Sequence, residues 1–486
     1  MGISKLRRHC RFAALSVTFV CGLAASAQTV QVYLTSQAGD RITAQPPLQF
    51  QSASSDHAGF AIDNSARDQE IVGFGASFLE SGMICLNRLE RSVQEQVLQA
   101  LFDPEKGAGY TVMKTVIGAT DFMAAGPFYT YDDHPGDIQM KLFSIARDLG
   151  PNGLIPYIQR ARKYGQFVLQ APMDYPPDWM LMNVQSNQDV NPRFYDALAQ
   201  YYLRYVREYE KHGTFIDYVS LFNEPRIYTK IAPQEIRDLL RDHVGPLFAR
   251  EGVKSTIMPC ETNNRARAAE YWPVILNDPK AHQFAGAIAY HAYGYKDFDK
   301  ITALHRQYPD LKIWMTEVCH AYETRLVPRS VPLPRMDYED GDFWGNQIFN
   351  DLESGTSAWI YWNMILDETG GPWLVSEIHH DPDPNEQHLV VVINSKTKQV
   401  TYTGLYYYLA HFSKFVRPGA VRVGVTGAVN GVRCMAFEAK DGRLIAQVLN
   451  SRKQSVSTAL KWRDRVLNVQ LPALSIATYI WGPARS

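Results

Sequence analysis

Two glutamates stand where short apolar runs end. Glu224 follows the run 218–222 in the tetrad Phe222-Asn223-Glu224-Pro225, and Glu317 closes Ile313-Trp314-Met315-Thr316-Glu317. A carboxyl flanked so closely by apolar residues is costly to desolvate unless it faces a polar cleft. Two acids at the mouth of one cleft suit glycoside cleavage, in which one protonates the leaving oxygen and the other attacks the anomeric carbon. Spacing alone leaves other roles open. Glu224 could cap a helix or pair with Arg226, and Glu317 could join a structural ion pair.

The elements that carry these acids sharpen the reading. Eight apolar β-type runs fall at 71–78, 111–117, 167–173, 216–223, 255–261, 284–293, 312–318 and 357–365. Amphipathic segments separate them. The clearest is 192–210, where Phe194, Leu198, Tyr201, Tyr202, Tyr205 and Tyr209 recur at helical spacing. Alternating strand and helix over 67–418 predicts an α/β fold, a (β/α)8 TIM barrel, with Glu224 and Glu317 ending its fourth and seventh strands. Catalytic groups in such barrels come from the C-terminal ends of the strands. An open doubly wound sheet is the competitor, but Gly73-Phe74-Gly75-Ala76-Ser77-Phe78 has only the first two glycines of a dinucleotide fingerprint and reads as a tight turn.

Both chain ends alternate with period two instead. Segments within 28–66 and 419–486 read as β-strands, with Asp441-Gly442 as a hairpin turn. The N-terminal strands need partners, so both ends are expected to build one small all-β sandwich beside the barrel. Residues 1–27 read as a signal peptide: Lys5, Arg7, Arg8 and Arg11, an apolar run over 12–24, then Ala25-Ser26-Ala27. That run is too short for a transmembrane helix, and no later stretch is long and apolar enough, which predicts an exported protein, periplasmic or extracellular.

Composition excludes other classes. At 46% apolar and 20% charged, the 486-residue chain can bury a large core. A net charge of −1 offers no global basic field for nucleic acid. The cysteines that remain after 1–27, namely Cys85, Cys260, Cys319 and Cys434, are scattered and read as structural. Glu377, His379, His380, Asp381, Asp383, Glu386 and His388 form a dense set of metal-type ligands, but in a Pro-rich loop without a recognised ligand spacing, so no metal or other cofactor is expected. No G-x-S-x-G elbow supports serine hydrolysis.

The residues around the two acids add a family resemblance. Phe222-Asn223-Glu224-Pro225 and Trp314-Met315-Thr316-Glu317 resemble the two catalytic signatures of glycoside hydrolase family 30. Further motifs follow in the family's order: 69–77 at the first strand, Thr120-Asp121-Phe122 at the second, 175–180 at the third and Tyr290-His291-Ala292-Tyr293 at the sixth. Trp362-Asn363 with Gly370-Gly371-Pro372 resembles the eighth, and 411–419 the helix leading into the side domain.

The resemblance implies a retaining β-glycoside hydrolase of glucosylceramidase-like type, with Glu317 as nucleophile and Glu224 as general acid/base. It implies that Asn223 bonds the sugar 2-OH, that Tyr293 orients the nucleophile with His291 nearby, and that Asp121, Trp179 and Trp362 line the innermost sugar site. The substrate implied is a β-linked glycoside, oligosaccharide or glycolipid. An endo-acting β-1,6-glucanase or xylanase of the same family is the alternative, and a non-catalytic carbohydrate-binding barrel the rival of another class. Three positions depart from the pattern. Lys114 replaces the family's second-strand Arg, Ala292 replaces an aromatic, and Met173-Asp174 stand where a sugar-stacking Trp is usual.

Overall fold

In the computed structural model, the residues described are Met1, 28–52, 59–124, 126–184, 188–321, 335–373 and 387–482. The expected signal peptide, apart from Met1, and all of the acidic and histidine set except His388 lie outside them.

A nine-stranded parallel sheet forms the barrel. Around it run Thr256–Met258, Tyr218–Ser220, Val168–Pro172, Val112–Lys114, Gly73–Ser77, Thr356–Asn363, Lys312–Glu317, Ala287–His291 and Glu261–Thr262. The two outermost members are halves of one strand, the fifth. Pro259 lacks an N–H and cannot continue the ladder, so the strand stops at Met258 and resumes at Glu261. Its first half pairs with the fourth strand and its second with the sixth, and bridges at Asn223–Glu261 and Ile257–Ala285 knit the seam. The circle of eight is thereby closed, as the eight apolar runs predicted.

Strands buried on both faces need near-continuous apolar sequence. The first, sixth and eighth strands are buried along their whole length. Gly73-Phe74-Gly75 lies inside the first strand, which corrects the expectation of a tight turn. The glycine serves close approach: a Cβ at Gly75 would stand 1.9 Å from the Val112 carbonyl oxygen of the second strand. The segment 192–210 forms a 3-10 turn and then the helix Tyr195–Lys211, with Leu198, Tyr201, Tyr202, Tyr205 and Tyr209 all buried.

Outside the barrel, a ten-stranded sheet folds over a second core that includes Val30, Val32, Phe60, Ile62, Leu460, Trp462 and Trp481. Thr29–Ser36 pairs antiparallel with Ser475–Trp481, and Phe60–Glu70 sits between Val421–Gly427 and Val456–Trp462. Both chain ends therefore contribute strands to the same sandwich. The barrel's last helix, Gly404–Phe415, carries His411 into the joint, where its ring nitrogens meet Thr478 Oγ1 at 2.7 Å and Thr35 Oγ1 at 2.9 Å. Burial pushes the His411 pKa down to about 3, so the ring stays neutral and donates to one threonine while accepting from the other.

Candidate active site

Lys114, His291 and Glu317 are the last residues of the second, sixth and seventh strands. Asn223 and Glu224 follow the fourth strand, Glu261 opens the second half of the fifth, and Trp362 is next to last in the eighth. All project from the same C-terminal end of the barrel.

Local backbone irregularities aim two of them. A register shift between Tyr290 and His291 sets His291 opposite Glu317, and a bulge of this kind re-aims the side chain beyond it. Glu224 has φ 41° and Arg226 φ 75°, a left-handed conformation that costs about 1–3 kcal/mol per non-glycine residue. Hydrogen bonds over-determine the turn: Glu224 N donates to Glu261 O (2.8 Å), Ile227 N to Glu224 O (2.9 Å) and Arg226 N to Thr229 O (2.7 Å).

The side chains form one buried network. Lys114 Nζ donates to Glu317 Oε2 (2.7 Å), Glu261 Oε2 (3.2 Å) and Asn223 Oδ1 (3.3 Å), and it lies 5.0 Å from the centre of the Trp362 ring. Tyr293 donates its hydroxyl to Glu317 Oε1 at 2.9 Å. His291 Nδ1 lies 2.6 Å from Glu224 Oε1 and 3.5 Å from Glu317 Oε1, while Nε2 reaches Glu261 Oε2 at 3.3 Å. Gln170 closes the far side by hydrogen bonding Glu261 Oε1.

Charge follows from these contacts. Burial disfavours the imidazolium of His291, but Glu317 and the hydrogen bonds to Glu224 and Glu261 outweigh it and raise the pKa to about 9. Burial likewise opposes ionisation of Glu261, and Lys114 with His291 overcomes it, bringing the pKa to about 2. Lys114 is held above the ordinary lysine value because Glu261 and Glu317 outweigh its desolvation. Glu224 moves the other way: burial and then the charge of Glu317 raise it, against the opposing effect of His291. The cluster thus favours a proton on Glu224 while fixed cations face Glu317, a division suited to an acid and a nucleophile.

Glu224, His291 and Glu317 could by atom type hold a cation, since one donor atom of each lies within 4.8 Å of the others. An imidazolium has no lone pair to offer, however, and both ring nitrogens of His291 already face carboxylates. His388, from the acidic and histidine set, is buried and held at about 4 by desolvation.

The network thus gathers Glu224, Glu317, Lys114, Asn223, His291, Tyr293 and Trp362. Asp121 stands one contact removed: Tyr228, from the loop after Glu224, donates to its Oδ2 at 2.7 Å. Trp179 is half-buried, its Nε1 donating to Asp132 O at 2.9 Å and its ring edge-on to Phe194, and neither contact joins it to the network. Sequence reasoning missed Glu261, Gln170 and Tyr228. For Glu261 a signal existed, since it closes the fifth apolar run just as Glu317 closes the seventh.

Lys114→Met should destabilise the protein by about 3–5 kcal/mol in urea unfolding, because it strands two buried carboxylates on one side of a broken ion pair. A loss below about 1 kcal/mol would show that the lysine does not hold the network together.

A family model described as the glycosyl hydrolase family 30 TIM-barrel domain matches residues 71–416, and one described as the family's beta sandwich domain matches 419–479. Putative glucosylceramidase 4 of Caenorhabditis elegans is 28% identical over 449 residues, covering 87% of this chain and 82% of that protein. The endo-1,6-beta-D-glucanase of Neurospora crassa is 25% identical over 501 residues, covering 95% and 98%. Among solved structures, SrfJ from Salmonella typhimurium superposes with a TM-score of 0.83 at 21% identity, covering 94% of this chain and 100% of that one.

Proposed function

The chain belongs to glycosyl hydrolase family 30, and from that premise we propose that this glycosidase is an exported, retaining enzyme that removes a β-linked sugar, a β-glucoside in the first instance, by double displacement. The observation that carries the proposal is the span of the carboxyl pair. An oxygen of Glu224 and one of Glu317 lie within 4.8 Å of each other. Retaining enzymes hold their carboxyls about 5–5.5 Å apart, whereas inverting ones need about 6.5–9.5 Å to admit a water.

In the first step a Glu317 oxygen attacks the anomeric carbon, the glycosidic C–O bond breaks, and the Glu224 proton passes to the departing oxygen. A glycosyl ester on Glu317 results. In the second step Glu224, now a carboxylate, takes a proton from water as the water oxygen attacks the same carbon and Glu317 departs. Lys114 and Tyr293 hold Glu317 in place by hydrogen bonds to its two oxygens. Asn223, turned toward the same cleft by Lys114, is the partner for the sugar 2-OH. Asp121, Trp179 and Trp362 are the walls of the sugar site. Export rests on the charged and apolar pattern of 1–27, and no helix among the described residues is long and apolar enough to cross a membrane.

The Neurospora relative, matched over nearly its whole length, favours a second reading, endo-cleavage of a β-1,6-glucan. Aryl β-glucoside, xyloside, fucoside and galactoside assayed beside β-1,6-glucan separate the two. Release of the terminal sugar from the glucoside, with the polymer left long, is the expected result; rapid shortening of the polymer with the aryl glycosides untouched would favour the endo reading.

The pH profile gives a further check. Activity requires a protonated Glu224, so kcat/KM falls as pH rises through its pKa. The imidazolium of His291 lowers that pKa. His291→Gln removes the cation, so the basic limb should move to higher pH, with a fall of roughly tenfold in kcat from the lost positioning contact. An unmoved limb would detach His291 from the proton on Glu224.

A further inference from the structure

One carboxyl at the site is left without a partner. Asp174 lies two residues past the third strand, Val168–Pro172, and is 1% exposed. Its backbone is wedged against the segment bearing Glu224: Met173 O accepts from Asn223 N at 2.8 Å, and Asp174 O accepts from Thr229 Oγ1 at 3.4 Å. Both side-chain oxygens are buried and make no hydrogen bond. The charges that act on it most are Lys114, Glu317, Glu224 and Glu261, in that order, so it belongs to the same cluster.

The two cations nearby are already committed. An ammonium has three N–H groups, and those of Lys114 go to Glu317, Glu261 and Asn223. Both ring nitrogens of His291 face Glu224 and Glu261. Among the described residues, four carboxyls of this cluster therefore share two cations, and Asp174 is the one that hydrogen-bonds to neither. Burial, with Glu317, Glu224 and Glu261 adding to it, raises its pKa well above the ordinary range, which favours the neutral acid, able both to donate and to accept. A buried carboxyl left unsatisfied is costly, so native proteins keep one where something else completes it.

We propose that the group completing Asp174 is a hydroxyl of the sugar in the innermost site, so that Asp174 is a specificity-determining residue, selecting sugars that carry a hydroxyl at that ring position. This rests on the glycosidase reading above and goes beyond it by assigning Asp174 a selective contact. Its signature is a loss confined to one hydroxyl, which neither a folding defect nor a general electrostatic effect would produce.

The test uses the full chain in a Glu317→Gln background, which binds substrate without turning it over. Dissociation constants are measured by calorimetry for phenyl β-glucoside and its 2-, 3-, 4- and 6-deoxy analogues, with Asp174 intact, as Asp174→Ala and as Asp174→Asn. The alanine variant should bind the glucoside roughly 10- to 100-fold more weakly, lose that deficit for one deoxy analogue alone, and be largely rescued by asparagine. An equal deficit for all five ligands, or none, overturns the assignment. If alanine prevents folding, the asparagine variant decides: any change in its affinities must be confined to one hydroxyl, and a uniform change overturns the proposal. Turnover by Glu317→Gln at the unmutated rate would instead sink the double-displacement reading while the binding comparison stands. Failure of the Asp174-intact protein to bind any of the glucosides overturns both.

Discussion

Glu317→Gln is expected to abolish hydrolysis, lowering kcat by roughly four to six orders of magnitude. The amide keeps the shape and accepts the Tyr293 hydroxyl, but it has no negative oxygen with which to form the glycosyl ester. The lost charge also leaves Lys114 with Glu261 as its only carboxylate partner among the described residues, so the fold should survive while the chemistry does not. Removing the side chain altogether sharpens the test. In Glu317→Ala, azide can enter the vacated space and attack the anomeric carbon from the face where Glu317 stood, giving the α-glycosyl azide. Undiminished hydrolysis by Glu317→Gln, or a β-azide from Glu317→Ala, contradicts the role of nucleophile.

The loss on Glu224→Ala should depend on the leaving group. A sugar or alkyl aglycone departs only if its oxygen is protonated, so kcat/KM on such substrates should fall by about 10²–10⁴-fold. A dinitrophenyl glycoside departs as a stable anion and needs no proton, so its kcat/KM should fall less than about tenfold, with the glycosyl ester then accumulating because no base activates water. Azide attacks that ester from the β face and should restore turnover as the β-glycosyl azide. Equal losses on both substrates would deny Glu224 the part of proton donor and leave it a structural partner of His291.

Much of this is legible in the sequence alone. The barrel could be read because a parallel strand covered on both faces must be apolar throughout, and eight such runs stand out between amphipathic helices. Glu224 and Glu317 could be read because each ends such a run, and family motifs supplied the residues around them. Glu261 offered the same one-dimensional signal, yet its importance depends on the break at Pro259, which lets one strand close the barrel at both edges of the sheet. Met173-Asp174 stood out in the sequence as a departure from the usual sugar-stacking Trp, but that Asp174 lacks a partner is a fact about three dimensions that no sequence shows. Gly73 and Gly75 were misread because glycine marks both tight turns and close strand approach, and only the distance to Val112 separates the two. In the sandwich, period-two alternation announces strands but not their order. Nothing local to Phe60–Glu70 tells it to pair antiparallel with one C-terminal strand and parallel with another.

The charge pattern explains why so many polar groups are buried in one place. Glu261 is bound to Lys114, His291 and Gln170. At a pKa of about 2 it remains anionic, and its charge helps keep both Lys114 and His291 protonated beside Glu224 and Glu317. The two cations in turn lie against the carboxyl pair, an arrangement that the proposed division between an attacking and a donating carboxyl calls for.

The decisive measurement is proton NMR of the anomer first released from an aryl β-glycoside, recorded before mutarotation mixes the products. Double displacement at a carboxyl pair this close predicts the β-hemiacetal as the initial product, giving way to the α form only at the mutarotation rate. The α-hemiacetal appearing first would mean a single inverting displacement by water and would contradict the assignment of Glu317 as nucleophile.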